Sequence, residues 1–191
     1  MLKGVLLDRR AFLGGAGGAL ALSTVATAAP HLGDDGIYTQ DWYLQSFLDF
    51  PSDLRDAVAE KKHFAVQWGE RGCWACKRLH TVYFADPTIE SFVRAHFNIV
   101  HLDLFGAREV TDVFGVRLPE KALAAHYGIR TTPSFQFFEM RDGKPAEVAR
   151  MPGLLAEPKF LAMFQYVASG AYAQVSFEQW LARQTQTVRK S

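Results

Sequence analysis

The sequence has little cysteine: two residues in a chain of 191. That count excludes a disulfide-stapled scaffold, which a chain of this length does not need. It also leaves too few thiols for a structural zinc site, which takes four ligands. His63, His80, His96, His101 and His126 lack the paired spacing that would complete one, and they read as surface or partly buried packing residues. Lys77 follows the second cysteine, so the haem-attachment pattern Cys-x-x-Cys-His is absent too. Charge of one sign is equally scarce. A formal net charge of +1, with no Lys/Arg cluster interleaved with aromatics, gives no reason to expect a nucleic-acid partner. No internal repeat or low-complexity tract occurs, and no apolar run reaches the roughly 20 residues that span a bilayer. What is present is 49% hydrophobic and 21% charged residues, ample material for the core of one soluble domain.

The first 28 residues differ from the rest. Asp8-Arg9-Arg10-Ala11-Phe12-Leu13 resembles a twin-arginine export motif, and a Gly/Ala/Leu run from Gly14 to Val25 follows it. Ala26-Thr27-Ala28 has the small-x-small form of a cleavage site, so export to the periplasm and cleavage after Ala28 are expected. Asp8 before the arginine pair leaves the general secretory route open beside the twin-arginine one. Residues 29–49 form an N-terminal extension. Its Gly/Asp/His-rich part up to Gln40 reads as a loose lead-in, and Asp41 to Leu48 reads as an aromatic segment that packs on the domain.

Periodicity then alternates between strand and helix. Pro51 to Lys62 reads as a helix with Leu54, Ala57 and Val58 in an apolar stripe. His63 to Trp68 alternates as a strand and runs through Gly69-Glu70-Arg71-Gly72 into a helix carrying Cys76, Leu79 and Tyr83. Asp86-Pro87 opens the next helix, and Asn98 to Leu104 is a second strand. Gly106 to Leu118 reads as an inserted loop or hairpin, and Glu120 to Tyr127 as a short helix closed by Gly128. Ser134 to Met140 and Ala146 to Met151 are strands joined by the turn Arg141-Asp142-Gly143-Lys144. Pro158 to Ala168 is a helix, and Ser176-Phe177-Glu178-Gln179 has capping-box spacing for a terminal one. This order implies an α/β domain over residues 50–170, with a central mixed sheet flanked by helices on both faces. A C-terminal helical extension, 171–191, follows it.

Both cysteines sit at one strand-to-helix junction, Gly72-Cys73-Trp74-Ala75-Cys76-Lys77. Their spacing lets the two sulfurs close a local disulfide, and a helix N-terminus favours a thiolate at the first. Lys77 and Arg78 add positive charge nearby. Cys73 therefore reads as the attacking thiolate and Cys76 as the thiol that resolves the mixed disulfide. So short a loop adds little stability, which argues against a purely structural bond.

The strand before Cys73-Trp74-Ala75-Cys76, the run Tyr127-Gly128-Ile129-Arg130-Thr131-Thr132-Pro133-Ser134 and the hairpin ending at Gly153 together resemble the thioredoxin superfamily. The likeness covers roughly residues 50 to 170. Four segments narrow it towards SoxW-type periplasmic thioredoxins of bacterial sulfur oxidation: Asp41 to Phe47, Arg71-Gly72-Cys73, Arg108 to Asp112 and Gly170-Ala171-Tyr172. The resemblance implies a cis peptide bond before Pro133, facing the cysteines, with the Thr132 backbone aimed at a bound peptide. It implies no cofactor beyond the cysteine pair. It also implies a monomer that takes electrons from a membrane thiol transporter and keeps periplasmic disulfide-containing proteins, sulfur carriers among them, reduced.

The pattern departs from the family in two places. Where thioredoxins carry a buried aspartate, six residues before the first cysteine, this chain has Gln67. Glu70 is the nearest acid to stand in for it at Cys76, and Glu139 is another candidate. Trp74-Ala75 replaces the Gly-Pro of common thioredoxins, with Trp74 either a contact surface or a cover for the apolar rim. The direction of electron flow therefore stays open. Three readings stand: a periplasmic reductase, an oxidase or isomerase of exported proteins, and a thioredoxin-fold binding or chaperone module.

Overall fold

A computed structural model describes residues 30–188, so the expected export signal lies outside the described residues. The chain opens with a small antiparallel hairpin, β1 (Pro30–Leu32) and β2 (Tyr38–Gln40). This corrects the loose lead-in expected there. Asp35 accepts a hydrogen bond from the backbone N–H of Ile37, and Gly36 takes a positive φ of 76°, so the polar composition encodes a tight turn.

Helix α1 (Phe50–Ala59) is capped by Asp49, whose side chain accepts from the N–H of Ser52. Leu54 and Ala57 face the sheet, while Val58 is half exposed and leaves the expected stripe. β3 (His63–Gly69) leads to α2 (Trp74–Arg78), which continues as one π-helical turn, Leu79–Tyr83. Asp86 caps α3 (Pro87–His96), and β4 (Phe97–Asp103) returns parallel to β3. The insertion is a hairpin, β5 (Glu109–Thr111) and β6 (Arg117–Pro119), ahead of α4 (Glu120–His126). β7 (Ser134–Arg141) and β8 (Lys144–Pro152) form the second hairpin. Its turn residues Asp142 and Gly143 both have positive φ, as the tight turn between twisted strands requires. α5 (Glu157–Ala168), a 3-10 turn (Ala171–Ala173) and α6 (Phe177–Val188) complete the chain.

The central sheet has the order β4-β3-β7-β8. Only β3 and β4 are parallel; β7 is antiparallel to both of its neighbours. Both faces are covered. Phe64, Val66 and Trp68 of β3 pack with Leu54 of α1 and Leu123 of α4 on one face. Ala65, Ile99, Phe135 and Phe137 pack on the other, with Leu79, Tyr83, Phe160 and Phe164. This is the mixed α/β sandwich expected from the element order. Among the described residues no helix is long and apolar enough to cross a membrane.

Candidate active site

β3 is buried along almost its whole length and delivers the chain to one end of the sheet, where Glu70 to Gly72 turn it back. Gly72 has a φ of 74°, a left-handed conformation that costs a Cβ-bearing residue and is free for glycine. Cys73 is then the N-cap of α2, and its sulfur accepts the backbone N–H of Cys76 at 3.0 Å. Cys73 and Cys76 are joined as a disulfide with their Cα atoms 5.2 Å apart. Cys73 is partly exposed and Cys76 is buried, as expected for an attacking and a sheltered sulfur.

Pairing of β3 with β7 brings the second half of the site. Trp68 stands opposite Ser134, so the segment before β7 arrives beside the turn after β3. The Thr132–Pro133 peptide bond is cis, and both residues are buried. The hydroxyl of Thr132 lies 2.7 Å from Oε1 of Glu70 and 3.3 Å from Sγ of Cys73. Glu70 is thus linked to the outer cysteine, not to Cys76 as the sequence reading supposed. Glu139 does not reach the site. It lies towards the far end of β7, where it accepts the Tyr172 hydroxyl and pairs with Arg141.

Around the turn, Trp74 is 72% exposed and stands open to solvent beside the cysteines. Ala75 is partly buried and Lys77 exposed. Trp74, Lys77, Arg78, Thr81 and Val82 line a shallow depression beside the cysteines. Arg71 is held to the carbonyl of Asp35 at 2.7 Å, which ties the N-terminal hairpin to the active-site turn.

Behind the cysteines lies a buried polar cluster that sequence reasoning missed. Gln67 is fully buried, and its Nε2 donates to the carbonyl of Trp68 at 2.8 Å. Across the parallel pair it stands opposite His101, on the sheet face that packs against α2. His80, one turn beyond Cys76, is buried and within 3.3 Å of the Gln40 amide. Its ring centroid is 6.4 Å from that of His101 and 5.8 Å from that of Tyr43. Burial, and then the neighbouring His101, push the His80 pKa down to about 3. Burial, and then Arg108, push His101 down to about 4. Both are therefore neutral near pH 7. His80 is buried more completely than the surface or partly buried packing expected, whereas His63 and His96 are partly buried and His126 is exposed, as expected. His80 at helical spacing from Cys76 was a readable signal; the juxtaposition of Gln67 and His101 depends on strand register and was not. Among the described residues no three His, Cys, Asp or Glu side chains gather as metal ligands.

The sequence pattern described as a thioredoxin-like domain matches residues 50–168. The chain belongs to the thioredoxin-like family. Its redox centre is the Cys73–Cys76 disulfide itself, and a pair so placed in this fold makes the protein a disulfide oxidoreductase. Among solved structures, a thioredoxin-fold protein from Helicobacter pylori superposes with a TM-score of 0.59 at 16% identity, covering 76% of this chain and 89% of that one. A thioredoxin from Thermus thermophilus is 24% identical with a TM-score of 0.49, covering 64% of this chain and 88% of that one. The first of these likenesses speaks to the fold alone. No curated protein matches the sequence.

Proposed function

We propose that this thioredoxin-like protein is an exported, periplasmic thiol:disulfide oxidoreductase that reduces disulfides of other exported proteins. The observation that carries this reading is the asymmetry of the pair: Cys73 partly exposed at the helix start, Cys76 buried behind it. In the reduced protein the Cys73 thiolate attacks one sulfur of a partner disulfide. A Cys73–partner disulfide forms, and the other partner sulfur leaves as a thiolate. Cys76 gives up its proton to solvent and attacks Sγ of Cys73, breaking the mixed disulfide and releasing the second partner sulfur. Two electrons pass from the cysteine pair to the partner, whose thiolates take up protons from water. A dithiol presented by a membrane thiol transporter restores the pair by the reverse exchange. Periplasmic sulfur-carrier proteins are the proposed clients, on the likeness to SoxW-type proteins in Asp41 to Phe47, Arg71 to Cys73 and Arg108 to Asp112. Exposed Trp74 and the depression beside it offer an apolar contact for such a client.

The test is trapping. Cys76→Ser should accumulate mixed disulfides through Cys73 in a periplasmic extract, and Cys73→Ser should accumulate none. Absence of trapped adducts in Cys76→Ser would reject exchange through Cys73. Adducts made only of newly exported folding proteins would reject the reductase in favour of an oxidase or isomerase.

A further inference from the structure

We infer that Glu70 is a positioning residue that withholds the Thr132 hydroxyl proton from Cys73 and so biases the cysteine pair towards giving up electrons. The inference deepens the reading above and rests on Cys73 being the attacking sulfur. A hydroxyl has one proton to donate. Thr132 Oγ1 has two acceptors within reach, Glu70 Oε1 at 2.7 Å and Cys73 Sγ at 3.3 Å. A carboxylate at the shorter distance is the stronger acceptor, so the proton points to Glu70 and an oxygen lone pair is left facing the sulfur. When the disulfide opens, the Cys73 thiolate gains no hydrogen bond from Thr132 and meets the negative charge of Glu70 beyond it. The thiolate keeps its bond from the N–H of Cys76, at 3.0 Å in the disulfide form. A reduced form stabilised less makes the pair a stronger reductant.

The arrangement is a product of the fold. Glu70 follows β3 and Thr132 precedes β7, 62 positions apart in sequence, and the Trp68–Ser134 pairing sets them side by side. Other charges stand around the turn. Arg71 is held to the Asp35 carbonyl, Lys77 and Arg78 lie on α2, and Arg78 sits 3.5 Å from Glu157 of α5. Arg130 is exposed in the segment leading to Thr132. These charges favour a thiolate or are neutral to it, and they stay in place when Glu70 is changed. Glu70→Gln has two consequences. It removes the charge, and its amide N–H can donate to Thr132 Oγ1, which turns the hydroxyl proton towards the sulfur.

The experiment measures two quantities in full-length protein. The Cys73 thiolate is titrated by its ultraviolet absorbance in a Cys76→Ser background, and the intact pair is equilibrated with glutathione. Glu70→Gln should lower the Cys73 pKa by about one unit and shift the glutathione equilibrium about tenfold towards the dithiol, about 30 mV for a two-electron couple. With Thr132→Val also present, the Glu70→Gln effect should fall to less than a third of that. Thr132→Ser, which keeps the hydroxyl, should restore it. An unchanged pKa in Glu70→Gln overturns the inference. An effect of full size in the Thr132→Val background also overturns it, because Glu70 would then act by charge alone. Trapping is scored separately: loss of adducts refutes exchange through Cys73, whereas intact trapping with an unmoved pKa refutes only the role of Glu70.

Discussion

At the scale of single residues, the departure at Gln67 turns out to belong to a larger change. A glutamine cannot ionise; His101, its partner across β3–β4, and His80, 6.4 Å from His101 between ring centroids, are held neutral by burial. The space above Gly69 is bounded by Nε2 of His101 at 2.6 Å and Nε2 of Gln67 at 3.3 Å from where a side chain would begin, so only glycine fits there without displacing them. Two histidines whose folded pKa values are about 3 and about 4, against 6.5 when unfolded, also make a stability statement. Between these values the unfolded chain binds more protons than the folded one, so stability is complete above about pH 6.5 and is lost as pH falls through 4 towards 3. His80, the more deeply buried, should account for on the order of 3 kcal/mol of that loss. Urea midpoints measured from pH 7 down to pH 4 should fall steeply, and His80→Gln should flatten the profile. An equally steep profile in that variant would assign the acid sensitivity elsewhere.

At the scale of elements, termini and turns carry much of the specification, and they were largely legible. Asp86 accepts from the N–H groups of Thr88 and Ile89, as its place before Pro87 implied. Ser176 and Gln179 cap each other reciprocally at 3.3 Å. The insertion is held by Asp112, at the end of the segment Arg108 to Asp112, whose bonding role no local pattern showed. Fully buried, it accepts from the N–H groups of Phe114 and Val116 at 2.9 and 2.8 Å and from the Tyr127 hydroxyl at 2.7 Å. The bond from Tyr127 joins the hairpin β5–β6 to the end of α4, and burial, then Asp112, pushes the Tyr127 phenol well above its usual range. Asp112→Ala removes all three acceptances at once. It should destabilise the protein by about 2 kcal/mol in chemical denaturation, the cost of losing three hydrogen bonds to one buried carboxylate. Because the side-chain partners of Asp112 are Phe114, Val116 and Tyr127, none of them a residue of the redox site, the glutathione equilibrium of the folded variant should not move.

At the scale of the whole molecule, the active-site end and the far end of the second helical layer divide the work. α5 begins near the cysteines, where Glu157 meets Arg78, and ends where α6 packs against it. There Tyr166 packs edge-on against Phe177 and at a tilt against Trp180, at centroid distances of 5.5 and 5.8 Å, and its hydroxyl donates to the Val175 carbonyl at 2.7 Å. α6 therefore acts as a brace on the layer, roughly 14 Å along α5 from the redox turn at the usual rise per residue. Trp180→Ala should lower the thermal midpoint, at a cost of about 1–2 kcal/mol, while disulfide reductase turnover below that midpoint stays within twofold of wild type. A proportionate loss of turnover would mean that α6 supports the site itself.

The sequence by itself determined the order of elements, the redox pair, the proline opposite it and the family. The order of elements and the redox pair follow from local quantities: hydrophobic period, capping residues, turn chemistry and the spacing of two cysteines along one helix turn. The family and the proline opposite the pair came from the resemblance of their motifs. The N-terminal hairpin escaped it, because three-residue strands carry too few positions to show a period. Only the tertiary structure decided what Glu70 does and what surrounds Gln67. Glu70 lies three residues from Cys73 in sequence, yet it meets the sulfur through Thr132, and that meeting exists only because β3 pairs with β7 in one register. His101 stands against Gln67 for the same reason on the other side of β3. A register shift of one residue would turn both partners to the opposite face, and strands this far apart in sequence have no connecting turn to fix their register.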